Sequence, residues 1–316
     1  MRILLVKTSS LGDVLHNLPV VTDILRHYPD AQIDWVVEES FSELPRLHPG
    51  VQRVIQVAIR RWRKQPEVAR AEMRTAIAAI REQSYDLAID TQGLLKSALV
   101  MRNARAPRCG YGFGSAREPL AALIYQRRYH VDKGQHAVER NRQLVAQAVG
   151  YPLDSAADYG IRAPALTLDW LPAGAYVVLL HATSRADKLW DEAKWVALGA
   201  QLHAEGLRSV LPWGSTAEKE RAERLVAAIP DAVCPPRLSL TEAAALLGHA
   251  KAVVGVDTGL AHLAAALDTP TVGIYTATEP ALTGLYAGAR AVNLGGKNQS
   301  PAVAEVLSAL EQVRRV

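Results

Sequence analysis

Short apolar runs alternating with segments of helical period constrain this 316-residue chain more than any other feature. Strands that are apolar on both faces belong to parallel sheets covered by helices. The opening shows the unit. Arg2–Val6 reads as a continuous buried strand, and Leu15, Leu18, Val21, Thr22 and Leu25 then recur at helical spacing. Between them, Ser9, Ser10, Gly12 and Asp13 form a polar turn leading into a helix. In open α/β sheets such a turn lies at the carboxyl edge of the strands, where ligands bind. Gly12 is expected to allow close backbone approach, and the first-turn N–H groups are unpaired donors. Asp13 reads two ways: as a helix-capping carboxylate or as a general base beside a polar substrate.

The alternation continues. Strands are predicted at 33–37, 51–57 and 87–90, with helices from Pro66 to about Gln83, after TQGLLKSALV begins, and from about Gln135 to Val149. Residues 105–130 look less regular. Residues 151–175 are rich in Pro, Asp, Ala and Gly without helical period, and read as an interdomain linker. Beyond it, strands are predicted at 176–180, 207–211, 252–256 and 271–275, and helices at 192–204, 217–228, 240–247, 259–267 and 301–313. The expected fold class is α/β, with doubly wound domains at 1–158 and 172–316.

Composition narrows the function. Hydrophobic residues make up 49% and charged residues 22%, as in ordinary globular proteins. No run approaches the ~20 apolar residues of a membrane span, and no signal-peptide pattern is seen. Two distant cysteines, Cys109 and Cys234, suit a reducing, cytoplasmic setting. The formal net charge is +4, with 22 Lys/Arg against 17 Asp/Glu in residues 1–158 and 14 against 15 in 159–316. That asymmetry points to an anionic partner for the first half, or to a solvated basic face. It is too small for a nucleic-acid binder.

Several motifs could carry chemistry. In VVGVDTGLAHLAAAL, a buried strand runs into Asp257-Thr258-Gly259-Leu260 and an apolar helix bearing His262. The helix start is suited to a diphosphate; alternatively, Asp257 is a plain cap and His262 a core histidine. In HATSRADKLW, His181, Thr183, Ser184, Arg185 and Lys188 crowd a strand-end loop where a leaving diphosphate could be neutralised. In LPWGSTAEKER, Trp213 and Glu218 stand where a nucleoside could sit, the carboxylate accepting both ribose hydroxyls. Arg60-Arg61-Trp62-Arg63-Lys64 sets four cations around an aromatic, with Lys96, Arg117, Arg127, Arg128 and Arg140 elsewhere in this half. It reads as a site for a phosphorylated or carboxylated acceptor, or as a solvated loop. The sequence has no Asp-x-Asp pair, no G-x-G-x-x-G after a strand and no Walker A motif. No His set has metal-ligand spacing and no serine sits on a nucleophile elbow.

Taken together, KTSSLGDVLHNLP, IDWVVEES, VAIRRWRK, DTQGLLKSA, SAREPLA, QHAVER, HATSRADKLW, LPWG and VDTGLAHLAAAL resemble the bacterial ADP-heptose:lipopolysaccharide heptosyltransferases, in order through both halves. Within that family the resemblance is to the heptosyltransferase I branch. It implies a GT-B architecture: two Rossmann-like domains facing across a cleft, the first taking the acceptor and the second the nucleotide sugar. It further implies inverting, metal-independent transfer of heptose from ADP-heptose to a Kdo of Kdo2–lipid A, with no cofactor. The alternatives are a later inner-core acceptor or a nucleotide-sugar epimerase of the same fold.

Position by position, the resemblance makes Asp13 the catalytic base. It puts Thr183, Ser184 and Lys188 on the diphosphate and sugar, with Lys188 assisting departure of ADP. Glu218 falls on the ribose, Leu238 beside the adenine, and Asp257, Thr258, Gly259, Leu260 and His262 on the heptose–diphosphate. Ser10, Arg60, Arg61, Arg63, Lys64 and Arg117 fall on the acceptor. Ser184 stands where the family often has a second threonine, and Leu238 where it often has methionine. A lipid acceptor implies peripheral contact with the cytoplasmic face of an anionic inner membrane, through residues 60–64 and 117–128.

Overall fold

The computed structural model describes residues 1–316, which divide into two compact units, Met1–Ile161 and Arg162–Val316. The division lies within 151–175, a stretch without helix or strand.

The first unit carries six strands: β1 (Arg2–Val6), β2 (Gln32–Glu38), β3 (Val51–Val57), β4 (Leu87–Asp90), β5 (Arg108–Tyr111) and β6 (Arg127–Tyr129). All neighbours pair in parallel, in the order β3-β2-β1-β4-β5-β6. Ile3, Leu4, Leu5 and Val6 are fully buried, as an apolar run in a central strand requires. The irregularity expected at 105–130 is partly wrong. Two short strands and a 3-10 turn (Pro119–Leu123) lie there. Strand β6 is Arg-Arg-Tyr, largely exposed at the sheet edge, so it has no apolar run to announce it.

The second unit carries β7 (Tyr176–Leu180), β8 (Arg208–Val210), β9 (Ala252–Val256), β10 (Thr271–Tyr275) and β11 (Ala291–Gly295). They are parallel in the order β11-β10-β9-β7-β8. The unforeseen edge strand β11 is only partly buried. Trp190 and Trp195, both buried, meet edge-to-face at 5.0 Å in this core. Asp191 caps the helix Glu192–Ala204, which carries Trp195, by accepting the Ala193 N–H at 3.0 Å.

Strand order positions the sites. In a doubly wound sheet the crevice opens where successive crossovers leave in opposite directions. That point lies at the carboxyl ends of β1 and β4 in the first unit, and of β7 and β9 in the second.

Candidate active site

At the first switch point the chain leaves β1 as Lys7-Thr8-Ser9-Ser10 and enters a short helix, Leu11–Leu15. Lys7 is buried, and its Nζ donates to the Thr91 carbonyl at 2.8 Å and to Asn141 Oδ1 at 3.3 Å. Burial lowers its pKa to about 8, although the nearby Asp13 charge works the other way. Gln92, after β4, accepts the N–H groups of Thr8 and Ser9 at 3.0 and 3.2 Å, locking the two loops together. Beneath them the buried Asp90 carboxylate accepts from Tyr125 (2.7 Å), Ser97 (2.8 Å) and the N–H of Gln92 (2.8 Å). Burial holds the Asp90 pKa above its ordinary value despite those donors.

Asp13 lies in the first turn of that short helix, its side chain one-fifth exposed. Its Oδ2 accepts the Ser10 N–H at 2.9 Å and the Ser10 hydroxyl at 3.1 Å, so the capping role is real. Its other oxygen meets only Arg117 Nη1, at 3.4 Å. Burial pushes the Asp13 pKa up, but the Lys7 and Arg117 charges and the Ser10 donors outweigh it and hold the carboxyl below its ordinary value. Asp13 is therefore ionised at neutral pH with one oxygen loosely engaged, the condition a proton acceptor needs.

The Arg117 backbone packs against a turn of restricted geometry, where the Glu118 N–H donates to the Gly93 carbonyl at 3.0 Å. Gly93 adopts φ +67°, and a Cβ on it would lie 3.2 Å from the Tyr111 ring and 3.3 Å from the Arg117 backbone nitrogen. Gly12, expected to have a comparable role, is an ordinary residue of the helix Leu11–Leu15.

The basic stretch is organised differently. Arg61 is gripped by Glu39 (2.8 and 2.9 Å) and Glu72 (2.7 Å), and Trp62 donates to Glu72 at 2.6 Å. Hydrogen bonding to Glu39 and then Glu72 raises the Arg61 pKa further. The Arg60 N–H donates to Glu38 Oε1 at 2.9 Å and its guanidinium lies over the Phe41 ring, while Arg63 and Lys64 are exposed. No hydrogen bond or ion pair joins these four cations to Asp13; Ser10 and Arg117 are the acceptor candidates that touch it.

At the second switch point the loop after β7 meets the loop after β9. Lys188 Nζ pairs with Asp257 Oδ2 at 2.6 Å, both largely buried, and Thr278 donates to the same oxygen at 2.7 Å. Thr183 donates to the Asp257 carbonyl at 2.9 Å. Thr258 caps the helix Gly259–Ala266 in extended conformation without using its side chain. The first-turn N–H groups at Gly259 and Leu260 thus lie beside an anchored lysine, an arrangement that binds phosphate oxygens. Ser184 is exposed in the same loop, and His262 is buried within the helix. Arg185 is paired with Asp187.

Glu218 is an N3 residue: its Oε2 accepts the Gly214 and Ser215 N–H groups at 2.7 and 3.1 Å. Only that oxygen is used. Trp213 donates to the Pro235 carbonyl at 2.8 Å, tying this turn to the 235–239 stretch that contains the half-buried Leu238. No group of three or more His, Cys, Asp or Glu side chains is placed to hold a metal ion.

Sequence reasoning missed Lys7, Gln92, Thr278 and the pair Glu39 and Glu72. Lys7 had a signal, since a lysine directly after a buried central strand sits at the carboxyl edge. Gln92 and Thr278 follow strands in the same manner. The glutamates had none, because their partner is set by how β2 and the helix Pro66–Arg81 approach Arg61.

The fold agrees with that of relatives of known class. The family described as glycosyltransferase family 9 (heptosyltransferase) matches residues 73–312. Lipopolysaccharide heptosyltransferase 1 of Pseudomonas aeruginosa is 52% identical over 299 residues, 93% of this chain and 84% of that one. Among solved structures, E. coli heptosyltransferase WaaC with ADP superposes with a TM-score of 0.93 at 43% identity, covering 99% of this chain and 100% of that one. The same enzyme with ADP-2-deoxy-2-fluoro heptose gives 0.89 at 43% identity, covering 98% and 99%. These neighbours carry the GT-B arrangement of two parallel-sheet α/β units that the motifs implied. The chain is a glycosyltransferase and belongs to glycosyltransferase family 9, the heptosyltransferases.

Proposed function

We propose that this chain transfers L-glycero-D-manno-heptose from ADP-heptose to a Kdo hydroxyl of Kdo2–lipid A, with inversion and without a metal or other cofactor. The observation that carries the reading is Asp13: an ionised carboxylate, braced on one oxygen by Ser10 and flanked by Lys7 and Arg117 at a switch point. The likeness to a heptosyltransferase solved with ADP-2-deoxy-2-fluoro heptose supports the donor assignment.

In the proposed step the Kdo oxygen attacks the anomeric carbon of heptose as its proton passes to Asp13. The bond between that carbon and the diphosphate oxygen breaks, and ADP leaves carrying the electron pair. Charge growing on the diphosphate is met by Lys188 and the N–H groups at Gly259 and Leu260, with Thr183 and Ser184 as hydroxyl donors. Asp257 and Thr278 keep Lys188 in place. Glu218 accepts the ribose hydroxyls, Leu238 lies against adenine, and Thr258 and His262 support the helix start. Ser10, Arg60, Arg63, Lys64 and Arg117 meet the anionic acceptor. Arg61, already held by Glu39 and Glu72, keeps that stretch in shape.

No helix is long and apolar enough to cross a membrane. The enzyme would reach its lipid acceptor peripherally, at the cytoplasmic face of the inner membrane, through Arg63, Lys64, Arg117, Arg127 and Arg128. Flotation with anionic vesicles at low salt that disappears at high salt is the expected result. The deciding assay is ADP release from ADP-heptose with deacylated Kdo2–lipid A, in the presence and absence of EDTA. Turnover that depends on the acceptor and ignores the chelator supports the reading. ADP release without acceptor, or abolished by chelation, overturns it.

A further inference from the structure

An apolar groove of about 350 Å³ lies in the first unit between the helices Pro66–Arg81 and Leu95–Met101, floored by the end of β3. Trp62, Met73, Ile77, Ile80, Leu99 and Val100 line it. Met73 and Leu99 are 43% and 48% exposed, so the walls present apolar surface to solvent. The polar groups in its lining are Lys96, Arg63 and Asn103. Unlike Arg61 between its two glutamates, neither Lys96 nor Arg63 has a carboxylate within ion-pair distance. Lys96 also points the way to the catalytic loop, for its Nζ donates to Ser9 Oγ at 3.3 Å, four residues before Asp13.

We infer that this groove holds a hydrocarbon chain of the acceptor, with Lys96 and Arg63 receiving its anionic head on the side of the Asp13 loop. An apolar trough with unneutralised cations at its rim complements an anionic amphiphile. A peptide would leave its backbone polar groups unpaired against these walls. The inference rests on the lipid acceptor proposed above.

Calorimetric titration with hexyl, octyl and decyl phosphate below their micellar concentrations, against inorganic phosphate, tests the groove directly. Affinity should rise about fourfold per methylene until the trough is filled. Met73→Glu/Leu99→Glu, two exposed positions, should flatten that series towards inorganic phosphate with the thermal melt unchanged. Lys96→Gln should weaken every member by a similar factor and keep the slope. A flat series in the wild type, or a double variant that keeps the slope, overturns the inference. So does a change in sedimentation of the double variant that shows a second copy to be the occupant.

Kinetics ties the groove to the acceptor. The double variant should raise KM for acylated Kdo2–lipid A roughly tenfold or more and leave the deacylated acceptor unaffected. Equal KM values for variant and wild type on the acylated acceptor overturn the assignment. If wild type uses neither acceptor, the transferase reading fails, and the alkyl phosphate series still decides whether the groove takes a chain.

Discussion

Asp13 and Asp257 occupy comparable places, each past the carboxyl end of a central strand with a lysine nearby, yet their surroundings differ. Asp257 is closed off by Lys188 at 2.6 Å and Thr278 at 2.7 Å on one oxygen. Asp13 has no such short ion pair: Lys7 spends its hydrogen bonds on Thr91 and Asn141, and Arg117 makes only a long contact at 3.4 Å. A carboxylate in a short, direct ion pair with a lysine acts as a positioning group for it. One held ionised by a lysine that does not touch it and an arginine in long contact keeps a loosely engaged oxygen for a proton. Under the proposed function, the same pairing of residue types serves binding in one unit and chemistry in the other.

The largest expected effect lies on the catalytic side. Asp13→Asn should lower kcat by about 10²–10⁴-fold with ADP-heptose affinity, read by calorimetry, nearly unchanged. Near-normal turnover would erase the contrast between the two aspartates. On the binding side, Lys188→Ala should lower kcat by roughly 10²–10³-fold and weaken the donor as well. A pure kcat effect with intact donor affinity would move Lys188 out of the ground-state complex.

A third prediction sharpens the distance argument. Lys7 depresses the Asp13 pKa without touching it, so Lys7→Met should move the acid limb of kcat/KM to higher pH. An unmoved limb would show that Arg117 and Ser10 alone set the carboxylate.

The smallest effects concern stability. His48 in the first unit and His181 in the second are buried, and burial lowers each pKa from 6.5 to about 4. Between pH 6.5 and 4 the unfolded chain binds more protons than the folded one. Each histidine thus contributes stability that is complete above 6.5 and lost as pH falls towards 4, about 3 kcal/mol over the window. Denaturant melts of His48→Gln and His181→Gln should show a shallower acid loss than wild type, each in its own unit. Parallel pH dependences in variant and wild type would remove these two groups from the balance.

The fold was legible wherever burial on both faces leaves an unbroken apolar run. Ile3–Val6 and Ala252–Val256 declare themselves as central strands by their unbroken apolar runs. Strands β5, β6 and β11 were missed because short or edge strands need few apolar side chains, and their pairing is set by the neighbouring strand. The site was legible as residue types at strand ends. Its pairings were not.

The sequence by itself determined two parallel α/β units, turns rich in hydroxyls and charge at their strand ends, and a polar residue at position 13 opening the first helix. Those properties follow from spacing along the chain and from side-chain chemistry. Only tertiary structure decided that Lys188 closes on Asp257, that Glu39 and Glu72 neutralise Arg61, and that Lys7 lies buried behind Asp13. Each depends on segments far apart in the chain meeting at a distance of a few ångströms, and electrostatic energy is set by that distance and by the water excluded from it.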